Sequence, residues 1–133
     1  MLDLSKSIEQ LENAIWEHNP YPSNVVQRAQ RLRKLALESL SIDDLRFLIG
    51  QEIGLPYVLP LAFEHLAENP AAGGQMYPGD LLDSVLSVRA AFWEEQTALH
   101  HELIDLIPSV ESLLELLRDE ILPILRERAY SPG

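Results

Sequence analysis

Residues 49–66 read IGQEIGLPYVLPLAFEHL, and the reading of this stretch decides the fold. Gly54, Pro56 and Pro60 punctuate an otherwise apolar run. Glu52 and Glu64 bracket it, so the apolar positions fall short of the ~18 consecutive residues that span a bilayer. The run also lacks the polar side chains that catalysis needs. A joint between two helices remains. Gly54 is expected to stop one helix in the left-handed conformation. Pro56 suits the first position of the next. Pro60 fits a first turn if that helix starts near Leu59, and otherwise kinks it.

Helical spacing continues on both sides. Leu4, Ile8, Leu11 and Ile15 form a stripe that Asp3 or Ser5 can cap. Pro20 and Pro22 break the chain. Ser23 can open a second helix with Val25, Ala29, Leu32 and Leu35 on one face. Ser41 followed by Asp44 resembles a capping box with a shortened acid. The segment AENPAAGGQMYPGD, residues 67–80, is the longest loop, with Gly73 and Gly74 read as a flexible turn. Helical spacing resumes at Asp80, with a joint near Ser87, and runs past Pro108. Val110, Leu113, Leu114, Leu117, Ile121 and Leu125 share a face, Pro123 kinks or restarts that helix, and the final SPG is expected to fray. No alternating strand pattern competes. The expected fold is all-α: one compact domain over residues 1–133, with about six to eight short helices in an irregular bundle.

Composition narrows the function. A chain of 133 residues can bury a single core. It has no cysteine, which excludes disulfides and thiolate metal sites. The first residues show no basic region followed by an apolar one, so no leader is expected. Ten Lys and Arg stand against 21 Asp and Glu, a net charge of −11. Nucleic acid is therefore a disfavoured ligand, and a basic partner would be steered toward the surface. Arg28, Arg31, Arg33 and Lys34 crowd the second helix, where internal pairing with the acidic excess is expected.

Little points to chemistry. His100, His101, Glu102 and Asp105 have metal-like composition, but adjacent histidines on a helix point about 100° apart. They read as a solvent-facing surface. No nucleophile elbow and no phosphate loop is present. The carboxylate pairs Asp43/Asp44 and Glu94/Glu95 read as solvated faces. No enzyme activity, cofactor or metal is expected. Phe92 and Trp93 are adjacent, so one helix is not expected to bury both fully.

The block DDLRFLIGQEIGLPYVLPLAFEHLAENP, then YPGDLLDSVL, then FW, within residues 43–93, resembles the immunity proteins of bacterial contact-dependent growth inhibition (CDI) systems. The resemblance implies a small helical cytoplasmic protein without catalysis. It would bind the toxic C-terminal domain of a delivered effector, often a nuclease and in some cases a ribonuclease, as a monomer in a one-to-one complex. The Gly, Pro and Leu of the block read as scaffold. The expected contacts are acids and aromatics around the long loop: Glu64, Glu68, Tyr77, Asp80 and Asp83, with Asp43 and Asp44 behind. The alternative is a general helical adaptor for another protein, without a toxin partner.

Overall fold

The computed structural model describes residues 2–130, so the expected fraying of residues 131–133 lies outside the described residues. Those residues are predominantly helical. A lone antiparallel bridge, Ser7 to Ala36, is the one sheet-like pairing among them. The all-α class expected from the sequence holds.

The first helix, α1 (Ile8–Glu12), is shorter than the stripe from Leu4 to Ile15 predicts. Ser7, rather than Asp3 or Ser5, is its cap. Ser7 Oγ accepts the Gln10 N–H at 3.2 Å, and the Gln10 side chain accepts the Ser7 N–H at 2.9 Å. Asp3 is occupied instead by a local turn with Ser5. The segment before α1 lies along residues 36–38, where the Leu37 N–H donates to the Lys6 carbonyl. Asn13, left-handed at φ 51°, stops the helix. Ile8 is fully buried, while Leu4 and Ile15 are exposed.

Helix α2 (Asn24–Arg33) starts at Ser23 as expected, with Ser23 Oγ accepting the Val26 N–H. A 3-10 turn (Leu37–Ser39) leads to α3 (Ile42–Gly50), which opens on the predicted Ser41/Asp44 capping box.

The joint within residues 49–66 is real, but its parts are distributed differently. Helix α3 ends before Gly54. The Ile53 N–H donates to the Leu48 carbonyl and the Glu52 N–H to the Ile49 carbonyl, with Glu52 left-handed at φ 54°. This is a Schellman turn in which Glu52 takes the position usually given to glycine. Gly54, also left-handed at φ 63°, is the N-cap of the next helix, α4 (Leu55–Glu68). Pro56 therefore occupies the second helical position, and Pro60 lies inside the helix. Val58, Leu59, Ala62 and Leu66 are fully buried along α4, each large side chain worth roughly 1.5–3 kcal/mol relative to exposure.

Four short helices follow: α5 (Asp80–Leu86), α6 (Ala90–Glu95), α7 (Thr97–Ile104) and α8 (Ile107–Leu116). A π turn (Leu117–Ile121) joins α8 to α9 (Leu122–Tyr130). Helix α3 packs against both α4 and α5, and α4 also meets α7. Phe92 and Trp93 are both buried, contrary to expectation. Their rings meet edge to face with centroids 5.4 Å apart, and His100 of α7 lies 6.1 Å from the Trp93 ring. Helix α6 packs against α7, and Phe92 and Trp93 both join the core cluster.

Candidate functional site

The acids singled out in the sequence fall into two groups: some hold the structure together and others face outward. Asp80 belongs to the first group, at 2% exposure. Its carboxylate accepts backbone N–H groups from Gly74 at 2.6 Å, Met76 at 3.0 Å and Tyr77 at 3.4 Å. Burial pushes this carboxyl up, but those backbone donors and the nearby Arg46 charge outweigh it and hold the group below the usual range. Residues 73–77 are therefore a tied turn rather than a flexible one.

Asp43 closes the other side of the turn. Its Oδ1 accepts from Arg46 Nε at 2.8 Å and from the Gln75 N–H at 2.9 Å, and its Oδ2 accepts from Arg28 at 2.8 Å. The Arg46 hydrogen bond is the largest reason that its carboxyl lies well below the usual range. Asp44 caps α3 and lies 3.4 Å from Arg28. Arg28 itself stacks 4.4 Å from the Phe47 ring centroid. The approach is close at Gly74, where an added Cβ would come within 2.9 Å of Asp43 Cα.

The expected internal pairing of the basic helix is seen at Arg28 and Arg33. Arg33 is 1% exposed, bonds Glu12 at 2.7 Å and the Ala14 carbonyl at 3.0 Å, and stacks on Trp16. Arg31 and Lys34 stay exposed.

The remaining acids face outward. Tyr77 is half exposed and donates its hydroxyl to the exposed Asp83 carboxylate, which holds the phenol above its ordinary pKa. Glu64 and Glu68, one turn apart on α4, are exposed. The structure adds two residues to Glu64. Glu102 and Asp105 line the same cleft, whose floor includes Pro60, Phe63 and Leu106. Sequence reading placed Glu102 and Asp105 with the histidines. What relates them to Glu64 is the packing of α7 on α4, which no local spacing encodes. No cluster of three or more potential ligands that could hold a metal occurs among the described residues. No helix among them is long and apolar enough to cross a membrane.

The cleft thus sets an acidic rim of Glu64, Glu102 and Asp105 over an apolar floor. Neither curated proteins nor solved structures include a match to this chain. The family model described as CDI immunity proteins matches residues 10–103, which contain α2 to α6, α7 as far as Leu103, the tied turn and most of the residues lining the acidic cleft. The chain belongs to the CDI immunity proteins.

Proposed function

We propose that the chain neutralises the toxin domain of its cognate effector by binding it one to one in the cytoplasm, without catalysis of its own. The target is a nuclease, and binding covers its basic cleft. The observation that carries this reading is the outward set Glu64, Glu102 and Asp105 over Phe63 and Leu106, on a chain of net charge −11. A cleft that grips phosphate presents Lys and Arg. An acidic surface with apolar floors is complementary in both charge and stem, and speeds encounter. Glu68, Tyr77 and Asp83 extend the contact. Asp43, Asp44 and Asp80 stand behind, positioning the turn that carries Tyr77.

The test uses the cognate toxin domain. Co-expression should rescue growth, and the purified proteins should form an equimolar complex. Cleavage of RNA or DNA by the toxin should stop at one equivalent. The double variant Glu64→Lys/Glu102→Lys should lower the association rate about tenfold at low salt, as expected when steering charge is reversed, with unchanged melting. A toxin that cleaves neither nucleic acid overturns the nuclease assignment, and an unchanged rate overturns the cleft. A chain that fails to rescue but retains another cellular protein returns the adaptor reading.

A further inference from the structure

From Ile107 to Tyr130 the chain runs as α8, the π turn and α9, and not one of these residues is buried. The family match ends at residue 103, so this tail helix lies outside the matched region. Ile107, Val110, Leu114, Leu117, Ile121 and Leu125 succeed one another at steps of three and four, each 37–59% exposed. They form the central seam of a broader apolar stripe, with the exposed Leu116, Leu122 and Ile124 to either side, of the kind that pairs with another helix. It continues at its root into an apolar groove between α5 and α7, lined by Leu82, Leu86, Leu103 and Ile104.

We propose that a second copy of this chain covers the seam, the two tail helices pairing antiparallel and crossing between Leu114 and Leu117. Charge selects the occupant and the direction. Glu111 and Arg118 are two turns apart and flank the same edge of the seam. A two-fold axis perpendicular to the paired helices brings like edges together. Glu111 then faces Arg118 of the second copy, and the pair occurs twice. The layers become Leu114 on Leu117, Val110 on Ile121 and Ile107 on Leu125. A parallel in-register pair joins opposite edges instead and leaves Glu111 and Arg118 against leucines. Arg118 bonds its exposed neighbour Asp119 at 2.8 Å, a surface pair weak enough to exchange. The π turn absorbs the extra residue between Leu117 and Leu125. Pro123, without an N–H, follows that turn, where the helical hydrogen-bond ladder is already displaced. The six side chains and their symmetry mates expose on the order of 1,000 Å² of apolar surface, the lower bound for a specific interface.

Sedimentation equilibrium of the purified full chain tests this. We expect a concentration-dependent dimer. Leu117→Glu should weaken it at least tenfold with unchanged thermal melting, because Leu117 has no internal packing duty. Arg118→Glu should also weaken it, and adding Glu111→Arg should restore it, since the swap rebuilds both pairs only in the antiparallel register. A monomer at all concentrations overturns the proposal, as does a dimer insensitive to Leu117→Glu. Failure of the charge swap to restore association overturns the register. If the free chain is monomeric and Leu117→Glu abolishes toxin binding, the seam belongs to the toxin and not to a second copy.

Discussion

A methyl group added at Gly54 has nowhere to go. Its Cβ would lie 2.9 Å from Ile8 Cδ1, and φ +63° is strained for any side chain. Gly54→Val should destabilise the fold by about 2–4 kcal/mol, combining backbone strain with overpacking. Urea titration measures this, and unchanged stability would mean that α1 does not pack on the joint. Asp43 gives a prediction in pH. Its folded-state carboxyl titrates below the ordinary value of 3.8, so its contribution is complete above that value and is lost as pH falls through the lower folded pKa. Asp43→Asn should cost about 1–3 kcal/mol at pH 7, in the range for breaking charge-assisted hydrogen bonds. The gap between variant and wild type should narrow below about pH 4. A gap that stayed constant down to pH 2 would show that the carboxylate's charge plays no part.

At the scale of elements, the Schellman turn after α3 supplies a test of opposite sign. Glu52 holds φ 54° with a side chain that pairs only loosely with Arg89, at 3.6 Å. Glu52→Gly should stabilise the protein by about 0.5–1 kcal/mol by removing the left-handed penalty, visible as a higher urea midpoint. A lower midpoint would give the Arg89 contact more weight than the backbone. This turn also shows what sequence could and could not disclose. The caps at Ser23 and Ser41 were legible because each closes on a residue three positions away. The joint at residues 49–66 was legible because Gly and Pro announce it, yet the stop falls on Glu52, since a Schellman turn is fixed by hydrogen bonds and tolerates a non-glycine residue. Ser7 was missed because an apolar repeat beginning at Leu4 masked it, and because residues 36–38 draw the preceding segment away. Of the proposed contact surface, single exposed acids were visible in the sequence. The cleft was not, because Glu64 and Glu102 meet only when α7 packs on α4.

Over the whole molecule, Arg28, Arg33 and Arg46 turn inward to Asp43, Asp44, Glu12 and Asp80, so the remaining surface keeps seven Lys and Arg against 17 Asp and Glu, nearly the whole net charge of −11. Association with a basic partner should therefore slow by about tenfold or more between low and high salt, with dissociation changing far less. Stopped-flow mixing across a salt series would check it, and a flat association rate would remove steering from the account. The division between inward and outward acids has a consequence for how such a protein changes over generations. Asp43 and Asp80 hold several donors each, so replacing either disturbs the turn they tie. Glu64, Glu68, Glu102 and Asp105 lie on the surface without such ties, where substitutions shift stability by only about 0.5 kcal/mol. A lineage can rewrite those positions one at a time and keep its scaffold, so under the proposed contact surface recognition can drift to a new toxin while the fold stands still.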